Sequence, residues 1–224
     1  MPDYSLAIHD RLSLLPLFQG LSKRELTEIV GQTRFEFARH AAGETLATEG
    51  SPSESLMFLL SGTVTIVRHS DDHSCVIEEH LAAPTLFFSE HLFGLLRRHS
   101  CTYIAREQCE TLSISKTETL RLLDTYDIFR THLFNLLSTR VQRLSHRPLR
   151  TSPRNIQEKI CRYLSDRCLY PAGPKDFQVK MQQVATDIGE SRLNVSRTLH
   201  AMSEEQLLTI SREHIHVVAM EKLF

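Results

Sequence analysis

The segment Gln183-Val-Ala-Thr-Asp-Ile-Gly-Glu-Ser-Arg-Leu-Asn-Val-Ser-Arg-Thr-Leu-His200 combines spacing and residue types that point to a chemistry. It divides into two helical stretches, Gln182 to Ile188 and Arg192 to Ser203, joined at Gly189-Glu190-Ser191, where glycine permits a tight turn. Val184, Ala185 and Ile188 give the first stretch an apolar inner side, and Val195, Leu199 and Met202 do the same for the second. What is left facing outward is polar and rich in donors: Gln182, Arg192, Asn194, Ser196, Arg197 and His200. A guanidinium offers a bidentate fork to guanine and a carboxamide pairs with adenine, while Ser191 as N-cap leaves backbone amides for a phosphate. These are the means of reading duplex DNA. A solvated helix face has the same composition, so the neighbouring elements decide between the two.

Those neighbours describe a winged helix. Ser152-Pro153 has the form of a cap with proline at the first helical position, opening a helix through about Leu169 that Tyr170-Pro-Ala-Gly-Pro174 breaks. Phe177 to Lys180 is a short extended piece, and Leu207 to Ser211 with His214 to Ala219 alternate as a hairpin around Arg212-Glu213. Charge separates this end from the rest. Residues 1–138 carry 12 Lys and Arg against 18 Asp and Glu, whereas residues 139–224 carry 14 against 9, so only the rear faces a polyanion with a basic surplus.

Upstream, residues 119–147 keep helical periodicity with neither Gly nor Pro, and Phe134, Leu137, Val141 and Leu144 fall at spacings of three, four and three. That is the rhythm of a dimer seam, although the same face could pack on the preceding domain. Pro148 ends the helix, and residues 147–154 form a hinge. Between about Arg34 and Leu120, short apolar runs at 56–60, 64–67 and 75–77 are separated by Gly43, Gly50, Gly62 and the turn Ser70-Asp71-Asp72-His73, the texture of a β-roll. A short helical entry covers residues 12–31, with Ser22 and Glu25 at capping-box spacing. The expected fold is α+β: a β-roll over residues 1–120, a dimerisation helix and hinge over 121–150, and a winged helix-turn-helix over 151–224.

Composition removes several alternatives. At 41% hydrophobic and 24% charged residues the 224-residue chain is that of a folded protein, and it has neither an apolar run of membrane-spanning length nor a secretory signal order. A cytoplasmic location without a membrane role is expected. Cys75, Cys101, Cys109, Cys161 and Cys168 contain no CxxC pair, which fits reduced thiols rather than a disulfide framework or zinc knuckle. A cupin-type metalloenzyme would need His-x-His on the roll, yet the one such pair, His214-Ile-His216, falls in the predicted wing. Nucleophile elbow, phosphate loop and HExxH are all missing, so neither catalysis nor a metal site is expected.

The chain resembles the cyclic-AMP receptor protein and fumarate-nitrate reduction regulator superfamily of bacterial transcription factors over about residues 15–220. Gly50-x5-Leu56-Met-Phe-Leu-Leu-x-Ser61-Gly62-x-Val64 is similar to its strand and glycine signature, and Phe88-Ser-Glu90 with Arg97-Arg-His-Ser-Cys101 to its phosphate-binding cassette. The resemblance implies a cyclic-nucleotide-binding-like roll (a double-stranded β-helix), a homodimer formed by the long helix, and recognition helices in successive major grooves of a near-palindromic operator. It also implies RNA polymerase as a partner, and an effector site formed by Phe88, Ser89, Glu90, Arg97, Arg98, His99, Ser100 and Arg143.

The effector is where this chain departs from the pattern. Members that bind cyclic AMP read Gly-Glu, then Arg-Ser, with Thr-Ser late in the dimer helix. Here Ser89 stands for the Gly, His99 for the Arg, and Arg143-Leu144 for the Thr-Ser. Something other than cyclic AMP is therefore expected, with a cyclic nucleotide and haem both left open, the latter because twelve histidines supply candidate ligands. No cysteine precedes Cys75, where the iron–sulfur members place a cluster, so none is expected. Many relatives also carry Glu where this chain has Leu193. A cyclic-nucleotide-binding-like module acting on a protein partner is the competing function, and it leaves the winged helix unexplained.

Overall fold

A computed structural model describes residues 4–87 and 89–224. They form two compact units, Met1–Val64 with Leu81–His146, and Thr65–His80 with Arg147–Phe224.

The first unit opens with helices α1 (Tyr4–Ser13) and α2 (Lys23–Gln32). The capping box is formed: Ser22 Oγ accepts from the Glu25 amide, and the Glu25 carboxylate accepts from the Ser22 amide at 2.7 Å. Beyond them lies an antiparallel sheet of β1 (Phe35–His40), β8 (Cys109–Ser115), β3 (Ser55–Ser61) and β6 (Thr85–Phe87), in that spatial order. β2 (Thr45–Ala47) pairs with β7 (Thr102–Ala105). Gly62, which follows β3, sits at φ +87° with its missing Cβ only 2.7 Å from Cys109 Cβ, so no other residue fits. The core gathers on the helical side, where Phe18 meets Phe58 at 5.7 Å and the edge of Phe129 at 5.1 Å.

The helical run read as continuous from Thr119 is two helices, α4 (Lys116–Thr125) and α5 (Asp127–His146), parted at Tyr126 with φ −119° and ψ 104°. No Gly or Pro marks the break. It is stabilised by side chains: Arg130 donates to the Leu123 carbonyl at 3.0 Å, and the Thr125 hydroxyl donates to Arg121 O, capping carbonyls that a continuous helix would use. Phe129 and Leu133 of α5 are fully buried.

The second unit is a winged helix with an extra hairpin. It contains the facing parts of β4 (Thr63–His69) and β5 (Cys75–Ala82), then α6 (Ile156–Asp166), β9 (Lys175–Val179), α7 (Met181–Ile188), α8 (Arg192–Glu204), β10 (Leu208–Ser211) and β11 (His214–Val217). Its strands lie in the order β10-β11-β9-β5-β4. The hairpin turn is held by Asp72, whose Oδ1 accepts from Ser70 Oγ at 2.6 Å and from the Ser74 amide at 3.1 Å. α6 begins at Ile156 rather than at Pro153: Asn155 Oδ1 accepts from the Glu158 amide at 2.8 Å, and Glu158 accepts from the Arg154 amide, so Asn155 outcompetes the Ser152-Pro153 cap. Residues 65–80, expected to belong to a self-contained roll, pack instead with the C-terminal residues. Cys75 and Ile77 are buried in one core with Phe177, Val184, Leu199 and Ile215.

Candidate functional site

α7 ends at Gly189, whose φ of +67° is the left-handed conformation that closes many helices. The Gly189 amide bonds to Thr186 O at 3.2 Å and the Glu190 amide to Ala185 O at 2.9 Å. Ser191 then caps α8, its Oγ accepting from the Asn194 amide at 3.1 Å. Val184, Ala185, Val195, Leu199 and Met202 are all buried, which fixes which way both helices face. The acidic residues of this segment are neutralised locally. Glu190 pairs with Lys159 of α6 at 2.6 Å, and Asp187 pairs with Arg167 at 3.0 Å while accepting from Gln183 at 2.8 Å.

The outward side of α8 therefore carries cations and neutral donors. Ser191, Arg192, Arg197 and His200 are exposed, with Asn194 and Ser196 partly so, and Gln182 is exposed on α7. Arg192, Ser196 and His200 succeed one another at spacings of four along one face, with Arg197 beside them. Among the described residues neither Arg192 nor Arg197 is in an ion pair. Leu193 lies on the same side, 59% exposed.

In the first unit the described residues expected to hold an effector lie on the short helix α3 (Ser89–Phe93) and on the segment that precedes β7, with Arg143 on α5. Phe88 falls outside the described residues, and Ser89 opens α3. Glu90 on that helix is paired with Arg140 of α5, whereas Arg143, expected at the effector site, is exposed three residues further along. Arg97 and Arg98 are exposed, the latter donating to Gly50 O at 2.6 Å, and Ser100 Oγ lies 3.0 Å from His91 Nε2. His99 lines a cavity. This hollow of about 370 Å³ is lined by Met57, Phe87, Tyr103 and His99, with Ser51 and Glu54 among its polar groups. Burial, and then the neighbouring His91, hold the His99 imidazole below its usual value, so the ring is neutral at pH 7. Among the described residues the cavity lining contains no Lys or Arg.

A family model described as cyclic nucleotide-binding domain matches residues 38–126. The cAMP-activated global transcriptional regulator Vfr of Pseudomonas aeruginosa is 25% identical over 180 residues, 77% of this chain and 84% of that protein. The cyclic AMP receptor protein of Thermus thermophilus is 25% identical over 204 residues, 90% and 92% of the two chains. Residues 38–126 thus match a cyclic nucleotide-binding domain, and the chain is similar along most of its length to cyclic-AMP receptor proteins.

The fold is shared with solved structures. The sensor domain of the transcriptional regulator DNR from Pseudomonas aeruginosa aligns with a TM-score of 0.54 at 21% identity, covering 69% of this chain and 99% of that one. The Thermus thermophilus catabolite activator protein aligns at 0.50 with 24% identity, covering 93% and 95%. Two of the relatives are named as cAMP-activated global transcriptional regulators. No helix among the described residues is long and apolar enough to cross a membrane.

Two functional contacts were missed from sequence. Arg140 precedes Arg143 by about one helical turn, and helical spacing alone does not choose between them. Lys175 and Glu79 left a clearer trace, because each breaks an alternation of apolar residues: Cys75-x-Ile77-x-Glu79 in β5 and Lys175-x-Phe177-x-Val179 in β9.

Proposed function

We propose that the protein is a homodimeric transcription regulator that places α8 in the major groove of duplex DNA and responds to an effector held in the first unit. The observation that carries this is the outward side of α8, where Arg192, Arg197 and His200 stand exposed above the buried Val195, Leu199 and Met202. Charged donors on a helix whose inner side is fixed by a core are preorganised for base edges, and the N-terminal amides of α8 are open to a phosphate. Domains 1–120, 121–150 and 151–224 supply sensing, dimerisation and DNA contact in this scheme, with residues 65–80 shared with the last.

Dimerisation is assigned to α5, where Phe134, Val141 and Leu144 are 57–60% exposed, an apolar stripe that a second copy would cover. Leu137 is different, since it packs partly on the core of its own unit. For the effector, a pocket with a carboxylate at Glu54, a neutral His99 and no cation among the described residues offers a phosphate only neutral donors. The cassette Glu90 is already engaged by Arg140. Both features favour an effector other than cyclic AMP. A non-enzymatic, cytoplasmic role follows from the same scheme, with RNA polymerase as the further partner.

The test is a titration of the full-length protein against a library of duplexes, followed by Arg197→Ala on the selected site. That variant is expected to lose about 1–3 kcal/mol on the selected site and little on random DNA. Equal losses on every duplex reduce Arg197 to a phosphate contact, and no selection of any sequence overturns the assignment.

A further inference from the structure

We infer that residues 65–80 form a docking strand for the winged helix, latched by the buried pair Glu79–Lys175, and that the winged helix opens from this hairpin as a unit. The two side chains are each 1% exposed and lie 3.1 Å apart, in register across β5 and β9. The pair is saturated with hydrogen bonds. Glu79 also accepts from the amides of Leu169 at 2.8 Å and Tyr170 at 3.0 Å, Lys175 donates to Ala172 O at 2.8 Å, and the Arg68 guanidinium stands 3.7 Å from the carboxylate.

Apolar residues surround it on the same inward side: Ile77 opposite Phe177 and Cys75 opposite Val179. Two apolar side chains would hold this seam at least as firmly as an ion pair, because burying charge costs most of what the attraction returns. An ion pair differs in its response to loss of a partner. With both charges present the seam is closed, and with one removed the other is stranded without compensation, so the contact behaves as all or none. The four other residue pairs of the β5–β9 register are joined by backbone bonds of the kind that water replaces when strands separate.

Chain connectivity gives the device its purpose. Residues 65–80 continue directly from Val64 and into Leu81, both in the first unit. While the latch is closed, displacement of the hairpin carries β9 and the helices behind it along. Once it is open, the winged helix answers only to its hinge near residues 147–154. The inference does not depend on DNA binding.

Hydrogen exchange of the full-length protein tests it without DNA. In Glu79→Ala the amides of Leu169, Tyr170, β5 and β9 are expected to exchange together, faster by on the order of a hundredfold, while those of α7 and α8 keep their protection. Should that variant be too poorly folded, Glu79→Gln keeps an acceptor oxygen for one of the two amides and is expected to show the same pattern at about tenfold. The double variant Glu79→Leu with Lys175→Met removes both charges and is expected to return β9 protection to at least the parental level. Unchanged exchange in Glu79→Ala overturns the latch. So does equal acceleration of α7 and α8, which would make the hairpin an inseparable part of one cooperative core.

Discussion

At position 197 a guanidinium stands exposed on α8 with no carboxylate partner among the described residues, and its loss is expected to separate specific from nonspecific DNA binding as set out above. The thiols make the opposite prediction. All five cysteines are buried, and burial pushes Cys161 up to about 11 and Cys168 up to about 12. Because the thiolate is the reactive species, native protein at pH 8 is expected to leave all five unlabelled by a disulfide reagent and to release them only on unfolding. Rapid labelling of any one would show a local opening. The exposed Asp72 carboxylate is held at about 2 against an ordinary 3.8 by the hydroxyls of Ser70 and Ser74. A lowered folded value means the contribution to stability is complete above about 3.8 and fades as pH falls toward about 2. The stability difference between wild type and Asp72→Asn should therefore vanish across that window. These residue roles were unevenly legible. Arg192, Arg197 and Ser191 could be picked out because their neighbours alternate with buried residues at helical spacing, whereas the choice of Arg140 over Arg143 depended on how α5 lies against α3.

Among the elements, α7, α8 and the β10–β11 hairpin matched their sequence expectation within a residue or two, because each is bounded by strong local signals such as Gly189, Ser191 and the Arg212-Glu213 turn. The α4–α5 break escaped notice because it is accompanied by local side-chain bonds, those of Arg130 and Thr125, rather than by a breaker residue. Strands β1, β2, β6, β7 and β8 lacked the uninterrupted apolar runs that revealed β3 to β5. On α5, Val141→Asp with Leu144→Asp is expected to give monomers in sedimentation without loss of fold, since both side chains are exposed in the single chain. A dimer of unchanged stability removes α5 as the seam. Leu137→Asp would mislead, because Leu137 also packs on its own unit. Gly62→Ala is expected to destabilise the first unit by more than ~1 kcal/mol in denaturant unfolding, since both the positive φ and the Cys109 contact oppose a Cβ.

For the whole molecule, sequence pattern identified the order of parts, roll, long helix and winged helix, because each has its own periodicity. It did not reveal that residues 65–80 pack with the C-terminal unit, since two short strands state which faces are apolar but not which sheet they join. The charged residues at inward positions of β5 and β9 were the available clue. Charge is distributed on the same scale: the basic surplus lies in residues 139–224, and Asp187 of α7 and Glu190 of the α7–α8 turn are paired with Arg167 and Lys159. Binding of a polyanion by that surface must release counterions and weaken with salt. The most direct measurement is the affinity of full-length protein for a selected duplex, followed by fluorescence anisotropy from about 50 to about 200 mM salt with candidate effectors present. A log–log slope of several units and a site preference lost in Arg197→Ala are predicted. No binding to any duplex at the lowest salt would contradict the assignment of α8 to a DNA groove.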